Sequence, residues 1–244
     1  MNGPTESKFR FAFLNNEAHP MGRLMLERLC TAGFVPQALV EERSSFAERK
    51  TAAYVRGLNA EEMPSSSGDI ARRFDIPIFT VGNINATECE DVLQRYRVTM
   101  VILGNTRIIT PHMLAQIPRG YINVHPGLLP RIRGAFPQCW SILHDEPIGS
   151  SCHFVDEGVD TGPIISRKEV AVFVGDTLER IVCRTMFAGA DLLLEAMPGL
   201  SRMEVPSIAQ AAEDGTTFHW PPPEAIWAAR ERLARREYRY LTLR

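Results

Sequence analysis

The chain has 244 residues, 27 Lys and Arg against 29 Asp and Glu for a formal net charge of −2, and 45% hydrophobic against 23% charged residues. These are globular values that exclude the broad positive field of a protein coating nucleic acid, and no apolar run has the length of a membrane span. The length is close to the limit of a single hydrophobic core, about 250 residues, and short of two full-sized domains.

No leader is expected at the amino terminus, because Asn15, Asn16, Glu17 and His19 interrupt the first apolar stretch. Cys30, Cys89, Cys139, Cys152 and Cys183 are odd in number, dispersed and without a C-x-x-C pair, so neither a disulfide framework nor a metal site is expected. This reads as a reducing, cytoplasmic protein with no membrane segment.

Residues 9–15 read as a strand and residues 21–32, with Leu24, Leu26, Leu29 and Cys30 at helical spacings, as a helix. Residues 34–40 predict a second strand, which Pro36 places at a strand start or near an edge. A charged helix is predicted over residues 45–58 and a loop over 63–68. Residues 76–81, 86–96 and 99–103 continue as strand, helix and strand, an alternation that predicts a mostly parallel sheet covered on both faces.

Further on, residues 120–125 predict a strand, 137–144 a short helix, and 150–155 and 163–174 extended segments. A long amphipathic helix is predicted over 176–197, capped by Asp176 or Thr177 and stopped by Pro198 and Gly199. From Glu224 onward another helix is expected, with Ile226, Trp227, Leu233, Ala234, Tyr240 and Leu241 on the side that docks on the body. Arg232, Arg235, Arg236 and Arg239 form a stripe read as a solvated face in preference to a phosphate or partner site. The exposed aromatic side chains of this tail make a homodimer plausible.

Two segments concentrate the chemistry. In a strand, residues two apart point the same way, so Asn123 and His125 set a carboxamide beside an imidazole. They do so at the carboxyl end of the strand, where open parallel sheets bind ligands. Pro126 and Pro130 turn the chain into a loop immediately afterwards. The second segment, residues 153–163, packs three acids and two glycines between apolar runs as a tight acidic turn. Its spacing does not match a calcium loop. Cys152 and His153 are strand neighbours facing opposite ways, which argues against a thiol dyad. His19, His112, His144 and His219 read as surface or satisfied histidines.

Together the segments N-V-H-P-G-L-L-P-R-I-R-G, P-Q-C-W-S-I and H-F-V-D-E-G-V-D-T-G-P-I-I, in this order, resemble the folate-dependent formyltransferase family. The resemblance implies a three-layer, Rossmann-like α/β domain over residues 8–200, followed by a short helical extension over 201–244. It implies catalysis by Asn123, His125 and Asp160 with 10-formyltetrahydrofolate as formyl donor. By the same resemblance Arg107, Ile108 and Ile109, with Val155, Asp156, Glu157, Gly158 and Val159, form the folate pocket, although both isoleucines suit a plain core equally well. Arg131 and Arg133 are candidates for a phosphate or carboxylate of the acceptor, with a solvated loop pair the alternative.

Subfamily features narrow the acceptor. The segment after the first strand, residues 14–20, lacks the Gly- and Ser-rich phosphate loop of glycinamide ribonucleotide formyltransferases. The first strand begins too early for the regulatory domain of the hydrolases. About 45 residues after Leu200 are too few for the tRNA-gripping barrel of methionyl-tRNA formyltransferases. A small-molecule amine is expected, a nucleotide-linked amino sugar before hydroxyornithine or another amino acid. Methionyl-tRNA formylation, hydrolysis of the donor, or a non-catalytic folate- or nucleotide-binding module remain alternatives.

Overall fold

The computed structural model describes residues 9–46, 48 and 63–243. All but the first residues of the helix predicted over 45–58 lie outside them. The elements are β1 (Phe11–Asn16), α1 (Pro20–Thr31), β2 (Ala38–Glu42), α2 (Ser67–Phe74), β3 (Ile78–Val81), α3 (Thr87–Arg95), β4 (Met100–Leu103), α4 (Pro111–Ala115) and β5 (Tyr121–His125). They continue with β6 (Ile132–Gly134), α5 (Pro137–Leu143), β7 (Gly149–Phe154), β8 (Ile164–Glu169), β9 (Val172–Phe173), α6 (Leu178–Arg202), β10 (Thr216–Phe218), α7 (Pro223–Ala234) and β11 (Leu241–Thr242).

Among the described residues seven strands form one sheet in the order β3-β2-β1-β4-β5-β7-β8. The five from β3 to β5 run parallel, and β7 and β8 are antiparallel to their neighbours. Both faces are covered. Alternation along β1 sends Phe11 and Phe13 to a core shared with α1 and α6, and Ala12 and Leu14 to the core on the opposite face, shared with α3 and α4. In β5 the same alternation puts Ile122 and Val124 into the first core and gives Tyr121 to the second. Asn123 and His125 therefore continue the Tyr121 side at the strand's carboxyl end.

Several boundaries differ from expectation. β2 is an interior strand between β1 and β3, and it begins after Pro36, at Ala38. The predicted 63–68 loop gives way at Ser67 to α2, whose first turn is capped by the Ser66 hydroxyl accepting from Asp69 N. Thr177, not Asp176, caps α6. Pro198 does not end α6: its fixed φ is helical, so only one ladder bond is lost, and the helix runs on to Arg202 before Met203 turns left-handed at φ 58.

The carboxyl-terminal segment is woven into the body. Ile208 pairs with Ile164 through two backbone bonds of 2.8 Å, β10 runs parallel to β6, and β11 runs parallel to β9. α7 closes a third core in which Ala229, Leu233 and Tyr238 meet Cys139, Ile142, Ile148 and Leu178. Of the predicted docking side, Ile226, Leu233, Tyr240 and Leu241 pack on this core, whereas α7 ends at Ala234 and both Ala234 and Trp227 face solvent. Trp227 is 62% exposed. Of the arginine stripe, Arg232 docks the helix, donating to Leu143 O at 2.8 Å and pairing with Asp145 at 2.6 Å. No helix among the described residues is long and apolar enough to cross a membrane.

Candidate active site

β5 delivers Asn123 and His125 to the carboxyl edge of the sheet, and the antiparallel register of β7 sets His153 directly opposite Asn123. His153 holds its own tautomer. A carbonyl only accepts, so the 2.7 Å contact from Nδ1 to Phe154 O places the proton on Nδ1 and leaves Nε2 as an acceptor. Asn123 Nδ2 donates to that Nε2 at 3.1 Å and to Asp160 Oδ1 at 3.3 Å. Both partners are acceptors, which fixes the carboxamide with its nitrogen inward.

Asp160 comes from the acidic turn between β7 and β8. Asp156 shapes the start of that turn by accepting from Gly158 N at 3.1 Å and from the Thr161 hydroxyl at 2.6 Å. Asp160 itself is left-handed at φ 55. Its Oδ2 accepts from Gly134 N at 2.9 Å and stands 3.3 Å from His125 Nδ1, and its Oδ1 is 3.5 Å from His153 Nε2. Burial opposes the charge on this carboxylate, but His125 and His153 in their protonated forms, with the Gly134 amide, outweigh burial and hold its pKa well below the usual range.

His125 is 3% exposed. Its Nε2 donates to Ile132 O at 2.9 Å, so the neutral ring carries its proton there and turns the Nδ1 lone pair toward Asp160. Burial lowers the imidazole's pKa, with the Asp160 charge opposing and His153 reinforcing that shift. The resting pair at neutral pH is an ionised Asp160 beside a neutral His125. A proton reaching the ring binds Nδ1, against a carboxylate that stabilises it.

These groups form the floor of a cleft of about 360 Å³. One wall is the loop after β4 together with the acidic turn, through Arg107, Ile108, Ile109, Val155, Asp156, Gly158 and Val159. Glu157 is exposed and does not line the cleft. The two isoleucines divide their roles: Ile109 is buried in the core, and Ile108 is 66% exposed at the rim. Arg107 braces the loop, pairing through Nε with Glu42 Oε2 at 2.7 Å and lying over the Phe46 ring.

Arg131 and Arg133, expected at the acceptor, do not line this cleft. Arg131 is on the surface, paired with Glu146 at 2.6 Å. Arg133 is buried, and its guanidinium is committed to Gln210 Oε1 at 3.2 Å, Ala211 O at 2.9 Å and Ala212 O at 3.2 Å. The opposite wall is aromatic and was not foreseen. Phe218, His219 and Trp220 line it with Phe136, whose ring stacks on Trp220 at 5.2 Å, while Trp140 stacks on Phe218 at 4.7 Å. The sequence signal is the aromatic run before three prolines at residues 218–223, whose chemistry says turn and not wall. His153, which the sequence offers either to line the site or to fill structure, lies in the cleft, brought against Asn123 by the strand register. The cysteines take no part: all five are buried, and burial pushes the Cys152 thiol up to about 12.

The formyl transferase family profile matches residues 42–197. The chain belongs to the formyl transferase family. Relatives include the methionyl-tRNA formyltransferase of Microcystis aeruginosa, 32% identical over 164 residues, covering 66% of this chain and 50% of the relative. That of Brucella melitensis biotype 2 is 33% identical over 165 residues, covering 67% and 53%. The chain thus spans about half the length of these relatives. Similar solved structures include glycinamide ribonucleotide transformylase 1 from Symbiobacterium toebii, with TM-score 0.65 and 21% identity over 85% of this chain and 98% of the other. The N-formyltransferase from Helicobacter canadensis, in complex with folinic acid and dTDP-3-aminofucose, has TM-score 0.65 and 16% identity over 96% and 84%. These likenesses establish the three-layer, Rossmann-like formyltransferase fold.

Proposed function

We propose that the chain transfers the formyl group of 10-formyltetrahydrofolate to the amino group of a small molecule, a nucleotide-linked amino sugar before others. The observation that carries this reading is the convergence of Asn123, His125 and Asp160 within hydrogen-bonding range on the floor of one cleft. The donor-side wall fits a folate. Ile108 and Val155 offer apolar surface to a pterin ring, and the backbone of the two loops offers hydrogen-bonding groups beside it. When bound, the folate supplies the activated formyl carbon.

Transfer to an amine builds negative charge on the formyl oxygen and moves one proton from the attacking nitrogen to the departing one. Asn123 provides the neutral N–H donor for the oxyanion, an interaction whose loss in other enzymes costs about 3–4 kcal/mol. In the resting site the same nitrogen spends its two N–H groups on His153 and Asp160, so donation to the oxyanion replaces the longer of these bonds, the 3.3 Å contact to Asp160. His125, neutral and facing a carboxylate, takes up the amine proton, and Asp160 holds the resulting imidazolium. The aromatic wall of Phe218, Trp220 and Phe136 suits a flat acceptor group such as a nucleobase, which supports the nucleotide-linked amine.

The test is release of tetrahydrofolate on mixing the protein with 10-formyltetrahydrofolate and a panel of nucleotide-linked amino sugars, hydroxyornithine and methionyl-tRNA. Release with an amino sugar supports the reading. Release with methionyl-tRNA alone replaces the acceptor, and release without any amine replaces transfer by hydrolysis. His125→Ala and Asp160→Ala are each expected to lose about 10²–10⁴ in kcat while still binding folate. Near-normal turnover in either overturns the assigned roles.

A further inference from the structure

Asp160 is left-handed at φ 55, and the bonds within its own turn, from Gly158 N and the Thr161 hydroxyl to Asp156 and from Phe154 N to Pro163 O, do not touch its main chain. The remaining hold comes from the segment after α6. Gln210 Nε2 donates to Asp160 O at 3.0 Å and to Gly162 O at 2.6 Å, gripping the main chain on either side of Thr161. The other end of the same amide, Oε1, accepts from Arg133 Nε at 3.2 Å. Arg133 in turn binds the carbonyls of Ala211 and Ala212, which fixes the backbone just after Gln210. The next residue of β6, Gly134, gives its N–H to the Asp160 carboxylate at 2.9 Å. The main chain of Asp160 and its carboxylate are thus both referred to β6, and one carboxamide spans the gap.

We infer that Gln210 is a positioning residue that sets Asp160 against His125. The inference rests on the reading of Asn123, His125 and Asp160 as the catalytic groups. Only a carboxamide of this length serves, because two carbonyls need donors and the guanidinium needs an acceptor. Glutamate satisfies Arg133 but confronts both carbonyls with lone pairs, and methionine fills the same volume with neither capacity.

The test compares Gln210→Glu, Gln210→Met and Asp160→Asn with the unaltered full chain by ¹⁵N resonances of the His125 imidazole against pH. The ionisable groups facing that ring are Asp160 and His153. Releasing Asp160 withdraws a charge that favours the imidazolium, so both Gln210 variants are expected to move His125 toward its behaviour in Asp160→Asn. With an acceptor in hand, kcat should fall about tenfold and KM for the folate donor should stay within a factor of about two. A folded Gln210→Met protein with unaltered His125 resonances overturns the inference, as does unaltered kcat. If the unaltered protein formylates no amine, the proposed function fails and the imidazole resonances alone decide the role of Gln210.

Discussion

The two ring nitrogens of His125 face partners of opposite consequence, a carbonyl that fixes the resting proton and a carboxylate that waits for the second one. Burial keeps the ring neutral, so the proton-accepting form persists below the ordinary histidine pKa of about 6.5. A profile of kcat against pH should therefore hold level down to that region and fall only at lower pH. Stability has the same sign. The unfolded chain protonates His125 near its ordinary pKa while the folded chain resists, and Asp160 loses its stabilising charge only well below the usual carboxylate range. Acid titration followed by circular dichroism should show stability declining as pH drops below about 6.5, with a further decline below about 4. Gly134 is constrained in another way. It is left-handed at φ 90, and an added Cβ would lie 2.1 Å from Phe218 O. Gly134→Ala should cost about 1–3 kcal/mol in chemical denaturation, through backbone strain and separation of β10 from β6.

Among the elements, the loop after β4 shows how a binding wall is held. Glu42, at the end of β2, grips Arg107, and Asn85 accepts from Thr110 N and donates to Ile108 O, with both bonds near 3 Å. If the loop is the folate wall, Glu42→Gln should raise KM for the donor about tenfold, the equivalent of ~1.4 kcal/mol of lost loop order, and leave kcat within a factor of about two. Most of this level was legible in the sequence. Alternating runs gave the strands, and the spacing of Asn123 and His125 gave their shared side. Tertiary partners were not legible. Arg133 looked like a free cation on a loop because its acceptors, the carbonyls of Ala211 and Ala212, lie far along the chain and leave no trace in side-chain chemistry. Pro198 looked like a helix stop because propensity weighs its missing N–H, whereas apolar packing on both sides of it, through Met197 and Leu200, carries α6 onward.

For the molecule as a whole, the segment after α6 joins the body through three short strand pairings and one apolar core, and it forms one wall of the cleft. Truncating Leu233→Ala should remove about 2–5 kcal/mol and lower Tm in a single cooperative transition. Two separated transitions would show that α7 melts independently of the sheet. The division of the cleft has a consequence for how such a protein changes over generations. Arg107, Ile108 and Val155 sit on loops bound into the main sheet, whereas Phe218 ends the three-residue β10 at the margin and His219 and Trp220 follow it. On the proposed function, substitutions in that margin exchange one acceptor preference for another without disturbing the groups proposed to move the proton, so recognition can diversify around an unchanged chemistry.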